Sequence, residues 1–193
     1  MKYSNYSDQV LIELFKKGNN KAFETIIERY KHKTFNFVLM MVQKPHLAED
    51  IVQDTFLKVV KSINNGKYYD DGKLGSWIIR IAHNLVIDYF RKEKQFNSLS
   101  ADDPTCYSIV YYKSIDNNHE DYITKNDTHF DVRKLLDYLP FEQREVVIMR
   151  IYLDMSFKEI AEINNISLNT ALGRMRYALI NLRKLAKKHM VNY

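Results

Sequence analysis

The fold of the C-terminal part of this chain is decided by the stretch SFKEIAEINNISLNTALGRMRYALINLRK, residues 156–184. Ser156 can cap a short first helix in which Ile160 faces inward. A turn at Asn164 and Asn165 follows, because Asn tolerates left-handed backbone angles better than most residues. The spacing therefore predicts two helices joined by a tight turn, which is a helix-turn-helix.

The second helix of this motif is predicted to begin after Ser167, which can cap it. Its expected core stripe consists of Leu168, Leu172, Met175, Leu179 and Leu182. Its expected outward positions are Asn169, Thr170, Gly173, Arg174, Tyr177 and Asn181. A glycine inside a helix costs about 1 kcal/mol relative to alanine. Its presence on the outward side of a cationic helix indicates a surface that another molecule approaches closely.

Helical periodicity also dominates the N-terminal half of the chain. Apolar residues recur at helical spacing in three stretches, residues 22–42, 44–66 and 76–94. Pro45 suits the first turn of the second stretch, and Gly66 stands where that helix is expected to stop. With only five Gly and three Pro in 193 residues, we expect an all-α protein of two small helical domains joined by a linker.

The distribution of charge along the sequence also indicates two domains and a linker. Residues 1–94 carry 16 Lys and Arg against 11 Asp and Glu, residues 95–128 carry 2 against 6, and residues 129–193 carry 11 against 7. Two basic blocks therefore flank an acidic connector in which helical periodicity fades. We expect domains at residues 1–94 and 129–193, with residues 95–128 as the linker. Basic blocks are compatible with an anionic partner but do not require one.

Several classes of protein find little support in the sequence. A single cysteine, Cys106, excludes an internal disulfide and a multi-cysteine zinc site. The six histidines show no metal-ligand spacing, and there is no phosphate-binding glycine loop. The polar N-terminus has no signal-peptide core, and the longest apolar run, residues 37–42, is too short to span a bilayer. We therefore expect a cytoplasmic protein without membrane insertion, catalytic residues, metal or cofactor.

Four motifs, taken together and in order, resemble the extracytoplasmic-function (ECF) class of bacterial sigma factors. They are FETIIERY (residues 23–30), AEDIVQDTFLKV (48–59), WIIRIAHNLVIDYFRK (77–92) and LPFEQREVVIMRIY (139–152), the last standing just before the helix-turn-helix. The first three are similar to sigma region 2 and the fourth to region 4. Asn165 stands where the family often has Gly, and NTALGR (169–174) replaces its usual Gly-Thr-Val-Lys-Ser-Arg. The resemblance therefore does not carry over a promoter sequence.

The resemblance implies a role for each block. It implies that residues 1–94 dock on core RNA polymerase and recognise and melt the −10 element, and that residues 129–193 recognise the −35 element. The implied polymerase-binding residues are Asp50, Gln53, Asp54 and Leu57. The implied −10 contacts are Lys73, Ser76, Trp77, Arg80, His83 and Asn84, although Trp77 is equally compatible with a core position. The implied −35 contacts are Asn169, Thr170, Gly173, Arg174, Arg176 and Tyr177.

The partners implied by the resemblance are core RNA polymerase, promoter DNA and an anti-sigma factor, which is common in the family. By the same resemblance, the acidic linker is a candidate to thread through a basic groove of the polymerase. One alternative is a stand-alone helix-turn-helix regulator with an N-terminal helical sensing domain. An enzyme of helical type ranks far behind both. The N-terminal block distinguishes the sigma factor from the stand-alone regulator. A sensing domain needs a ligand pocket, whereas these motifs fit docking on the polymerase and capture of a DNA strand.

Overall fold

The computed structural model describes residues 3–68, 72–98 and 132–190. Its helices are α1 (Asp8–Lys16), α2 (Asn20–Val42), α3 (Pro45–Asn64), α4 (Leu74–Ser98), α5 (Val132–Leu136), α6 (Phe141–Val147), a π-helix (Ile148–Tyr152), α7 (Phe157–Asn164) and α8 (Leu168–Met190). Within these ranges no strand forms, and the expected all-α fold is confirmed. Beyond the end of α4, the expected linker lies outside the described residues.

The first helix, α1, precedes the stretches for which the sequence pattern predicted helices, so it was not predicted. Ser7 caps it by accepting a hydrogen bond from the backbone N–H of Val10 at 3.4 Å. Asp8, in its first turn, accepts hydrogen bonds from both Arg29 and the hydroxyl of Tyr30 on α2. These bonds fix α1 across α2, and the apolar side of α1 closes one end of the N-terminal core.

The N-terminal core lies where α1 to α4 pack on one another. Its fully buried side chains include Leu11, Ile26, Phe37, Met41, Val59 and Ile78. Burying an aliphatic or aromatic side chain of this size contributes roughly 1.5–3 kcal/mol. The stripes predicted for residues 22–42, 44–66 and 76–94 contribute most of this core.

The C-terminal block contains a break in regularity that the sequence pattern does not reveal. The apolar run of residues 140–153 reads as one helix, but α6 passes at Ile148 into the π-helix. A π-helix inserts extra residues per turn and turns the following side chains to a new direction. Ile151 consequently lies 58% exposed, while Ile148 and Met149 stay fully buried.

The two blocks pack against each other through a shared apolar core. The π-helix lies on α2, and α7 lies on α4. Phe90 of α4 meets Phe141 of α6 edge to face, with ring centroids 5.4 Å apart. The first turns of α4 therefore face the C-terminal block rather than open solvent alone.

The helix-turn-helix has the predicted caps but a different core register. Ser156 and Glu159 form a capping box at the start of α7, and Asn165 ends it with φ 52° and ψ 44°. The expected stripe on α8 is confirmed at Met175, which is buried, and at Leu182, which is partly buried, but it is wrong at Leu168, Leu172 and Leu179, which are 49%, 43% and 40% exposed. Ala171 and Ala178 take the place of these three leucines in the core. The small side chains of the two alanines let α8 approach α7 closely. The three larger leucines lie outside this contact and are exposed to solvent.

Candidate nucleic-acid interface

The first three turns of α4, with Lys73 directly before them, carry the residues predicted to contact the −10 element. Positions 73, 76, 77, 80, 83 and 84 recur at three- and four-residue spacing, which places them on one side of a helix. Lys73, Arg80 and Asn84 are exposed, and Ser76 and Trp77 are half-buried. The structure thus brings this set together, with one member, His83, in a different environment from the rest.

Trp77 lies partly in the core and partly at the surface. Its ring stands 4.5 Å from the ring of Tyr68, centroid to centroid, and the two planes are tilted by 52°. Tyr68 is itself buried at 5% exposure. The Trp77 ring therefore packs on the buried ring of Tyr68, and part of the indole remains exposed to solvent.

His83 does not lie at the surface. It is only 6% exposed, and its Nε2 contacts Oε1 of Glu145 on α6, which is 2% exposed. In this arrangement a DNA strand cannot reach the imidazole, so the structure does not present His83 as an accessible member of the set. The reason is the packing of the C-terminal block on α4.

Ser76 is also engaged by the C-terminal block. Its hydroxyl donates a hydrogen bond of 2.8 Å to Oε1 of Glu159, the capping-box residue of α7. Partial burial alone would raise the pKa of Glu159, but hydrogen bonds from Ser156 and Ser76, together with the charge of Lys73, hold this pKa below its ordinary value. Glu159 is thus an anionic acceptor placed against the start of α4.

The exposed face of α3 carries all four residues predicted to dock on the polymerase. Asp50, Gln53, Asp54 and Leu57 are exposed, and Leu57 is open over 53% of its surface. The opposite face of the same helix is buried. An exposed leucine next to two carboxylates combines an apolar anchor with a polar rim, which is the composition of a protein-binding patch.

The α8 helix presents the residues predicted to contact the −35 element around its exposed side. Asn169, Thr170, Arg176 and Tyr177 are exposed, and Gly173 and Arg174 are half-buried. Ser167 caps the helix by accepting the Thr170 N–H at 3.0 Å, and the two hydroxyls lie 2.8 Å apart. Thr170 is therefore part of the cap as well as of the exposed surface.

At 3.6 residues per turn, the side of α8 opposite its alanine core carries Asn169, Gly173, Arg176 and Tyr177. A Cβ added at Gly173 would meet no atom within 4 Å. Asn181, expected on this side, instead donates a 2.8 Å hydrogen bond to Gln143 of α6. The open side is thus narrower than the sequence pattern predicts and centred on the glycine.

Three charged residues of the C-terminal block are part of the site, although the sequence analysis did not single them out. Arg144 and Glu145 are 0% and 2% exposed, and Asp137 lies beside Arg144 with an N–O distance of 3.7 Å. Their partners on the N-terminal block are distant in sequence, so no local motif marks them. The only signal is that Arg144 and Glu145 stand directly before the apolar residues 146–149.

Two kinds of feature are absent from the described ranges. Within residues 3–68, 72–98 and 132–190, no three His, Cys, Asp or Glu side chains come together to hold a metal ion. Over the same ranges, none of the helices has the length and hydropathy needed to cross a membrane.

Both parts of the chain match models of known protein families. The model of sigma-70 region 2 matches residues 26–96, and that of sigma-70 region 4 matches residues 129–177. The first match contains α3 and nearly all of α4, and the second contains α7 and the first part of α8. Because both regions occur in one chain in this order, a stand-alone regulator with an unrelated sensing domain is not favoured.

Individual relatives agree with these matches. The ECF RNA polymerase sigma factor SigW of Bacillus subtilis is 30% identical over 90% of this chain and 93% of its own length. The RNA polymerase sigma factor SigV of Bacillus subtilis is 30% identical over 87% of this chain and 93% of its own. The sigma factor RpoE of Bartonella quintana, solved in complex with the anti-sigma factor NepR, shares the fold with a TM-score of 0.67 at 22% identity, covering 86% of this chain and 98% of that one. The chain belongs to the ECF class of RNA polymerase sigma factors, which direct RNA polymerase to promoters for the initiation of transcription.

Proposed function

We propose that this sigma factor uses three separate surfaces during initiation. The exposed face of α3 binds core RNA polymerase. The first turns of α4 hold the displaced strand of the −10 element, and α8 enters the major groove at the −35 element. In this division of labour residues 1–94 and residues 129–193 act as two DNA-binding domains, and residues 95–128 connect them.

The open side of α8 is the observation that carries the proposal. A recognition helix reads bases with residues near its N-terminus, and the contacts to phosphates fix its position. Asn169 and Arg176 supply hydrogen-bond donors for base edges or phosphates, and Gly173 between them lets the backbone come near the DNA. Arg183, Lys184, Lys187 and Lys188 are exposed further along the helix, where they suit phosphate contacts.

The face of α4 has the chemistry required for holding an unpaired strand. Stacking of a base on an aromatic side chain contributes roughly 1–3 kcal/mol, and basic groups hold the backbone. Trp77 supplies the aromatic surface, Arg80 and Lys73 the charge, and Asn84 a side chain able to pair with a base edge. Ser76 and His83 complete the set once the C-terminal block has moved away.

The remaining parts of the proposal concern partners and location. The chain is proposed to have no catalytic activity of its own, since a specificity subunit selects DNA while the core enzyme makes RNA. It is proposed to work in the cytoplasm. The neighbour from Bartonella quintana was solved with an anti-sigma factor, and we propose that this chain has such a partner as well.

Run-off transcription of sheared genomic DNA from the source organism tests this function. Core polymerase is supplied alone, with the wild-type protein, or with the variant Arg176→Ala, and the transcripts are sequenced. The wild-type protein is expected to produce discrete 5′ ends that share two upstream elements, and Arg176→Ala to weaken them together. Identical transcripts with and without the protein would reject the proposal, as would tight binding of duplex DNA by a chain that ignores core polymerase.

A further inference from the structure

Leu172 is an exposed apolar residue at the edge of the open side of α8. Its side chain is 43% exposed, although the sequence pattern predicts it in the core. Residues three and four positions apart are neighbours on the surface of a helix. Asn169 and Arg176 therefore lie on either side of Leu172, and both are exposed. An apolar side chain thus lies between two polar side chains that the proposed function assigns to the −35 element.

Two other exposed leucines, Leu168 and Leu179, share this flank of α8. At 3.6 residues per turn, Leu172 is the leucine turned furthest from the alanine core and nearest to Gly173. A Cβ added at Gly173 would meet no atom within 4 Å. The backbone beside Leu172 is therefore open to close approach, and Leu172 is the apolar side chain best placed to contact whatever approaches.

The charge of α8 indicates that the molecule approaching this side is a polyanion. The helix carries three arginines and three lysines and no aspartate or glutamate, so its field attracts nucleic acid. In the major groove, thymine exposes a C5-methyl group, and contact with an apolar side chain distinguishes it from the other bases. The leucine side chain has no hydrogen-bonding atom. At a base edge, the group that it fits is the methyl of thymine.

We propose that Leu172 selects thymine at one position of the −35 element by packing on the C5-methyl group. This inference rests on the proposed function, because it requires that the open side of α8 enters the major groove. It adds to the polar contacts an apolar contact that depends on one base. The −35 element should consequently contain an A·T pair that the protein prefers for its methyl group.

The helix also fixes where this pair should lie. Asn169 and Arg176 are separated by about 10 Å along the axis, at a rise of 1.5 Å per residue, and Leu172 lies between them. The selected thymine should therefore lie between the base pairs that Asn169 and Arg176 contact. Asn169→Ala and Arg176→Ala should each relax the base preference on one side of it. A selected thymine outside this interval would overturn the proposal.

Deoxyuridine isolates the contribution of the methyl group, since it pairs with adenine as thymidine does and lacks only the C5-methyl. The probe is the promoter fragment that gives the most abundant transcript in the genomic run-off experiment. It is resynthesised with A·U in place of A·T, one pair at a time, across its upstream element. Competition binding to the holoenzyme should show a loss of about fourfold at the selected pair, the effect of burying one methyl-sized group.

The discrimination between thymine and uracil should disappear in Leu172→Ala. The exposed position allows this variant to fold, and circular dichroism checks that it does. Leu172→Lys should also lose the discrimination, while its charge supports binding through the phosphates, so it gives a measurable affinity should Leu172→Ala bind too weakly. Leu179→Ala is the matched control, because it removes an exposed leucine from the same flank two turns further along. This control should keep the fourfold preference.

Four results would reject the selection of thymine by Leu172. They are an upstream element without an A·T pair, equal binding of all thymine and uracil probes by wild type, an unchanged preference in Leu172→Ala, and weaker binding of Leu172→Ala to core polymerase with the preference intact. The last result would mean that the leucine contacts a protein. The proposed function is tested separately, because it fails when the wild-type holoenzyme starts no promoter-directed transcript, whereas this inference can fail while such transcripts are made.

Discussion

Ala171 and Gly173 are two residues apart in α8 and face opposite ways. Ala171 is fully buried against the rest of the helix-turn-helix, whereas a Cβ at Gly173 would meet no atom within 4 Å. A fully buried position and a position with space for an added side chain therefore lie within one turn of the helix. Packing within the described residues does not require a glycine at this position, which supports the proposal that DNA approaches the helix on this side.

The two glycines inside helices should therefore respond oppositely to alanine. Gly173→Ala removes the cost of a helical glycine and is expected to raise the free energy of unfolding by about 1 kcal/mol. Gly75→Ala gains less helix propensity because it lies in the first turn of α4, and its Cβ would stand 2.9 Å from Cε1 of Tyr30, a ring held in place by its bond to Asp8. We expect a net loss of about 1–2 kcal/mol there. Urea denaturation measures both, and stabilisation by Gly75→Ala would show that the Tyr30 ring gives way.

Gly173→Glu should separate function from stability. The position is open, so the folded protein tolerates the longer side chain, but a carboxylate on the groove side of α8 would face DNA phosphates. We expect promoter-directed transcription with core polymerase to be lost, with the unfolding midpoint nearly unchanged. Leu179→Glu, on an exposed flank of the same helix, is the control and should retain more activity. Normal transcription by Gly173→Glu would mean that α8 does not enter the groove by this side.

The register of α8 can be tested by substitutions at Leu172 and Ala171, which the two assignments rank differently, with Met175, a core position in both assignments, as the reference. Met175→Ala should cost about 2–5 kcal/mol because it leaves a cavity in the core. Leu172→Ala, at an exposed position, should change stability by about 0.5 kcal/mol or less. Ala171→Leu should cost about 1–3 kcal/mol by overpacking. If Leu172→Ala proved as costly as Met175→Ala, the leucine stripe expected from the sequence would be the core after all.

These residues show how far the sequence could predict the structure. The caps at Ser156, Asn165 and Ser167 were predictable because each follows from the local chemistry of one side chain. The core stripe of α8 was not, since alanine gives a weak hydrophobic signal and the leucines dominate the pattern. The contact between His83 and Glu145 joins residues 62 positions apart. It depends on how two folded blocks pack, which no local periodicity encodes.

Leu57 should contribute to polymerase binding and little to folding. Its side chain is 53% exposed on the outer face of α3. Burying a leucine in an interface contributes roughly 1.5 kcal/mol or more, so Leu57→Ala should weaken binding to core polymerase about tenfold. Val10→Ala, at an apolar position on α1 that is 41% exposed, is the control and should bind like wild type. Competition against a labelled sigma factor measures both, and the reverse ranking would place the docking surface on α1.

Glu159 should make the stability of the protein depend on acid pH. Its pKa is held below the ordinary value of 4.5, as hydrogen bonds from Ser156 and Ser76 and the nearby charge of Lys73 outweigh partial burial. Because the folded pKa is the lower one, the carboxylate contributes stability that is present above pH 4.5 and is lost as the pH falls through the folded value. Glu159→Gln keeps a side chain able to complete a capping box but removes this charge. It should therefore lower the unfolding free energy at neutral pH and differ less from wild type under acid conditions.

Urea denaturation at pH 7 and again below the folded pKa of Glu159 measures this difference. Glu162→Gln, at an exposed position on the same helix, serves as the control and should have the smaller effect at neutral pH. A gap between wild type and Glu159→Gln that stays constant on acidification would mean that the lost stability came from the shape of the side chain. A gap that closes would assign it to the carboxylate held between Ser156 and Ser76, and so to the contact that joins the helix-turn-helix to α4.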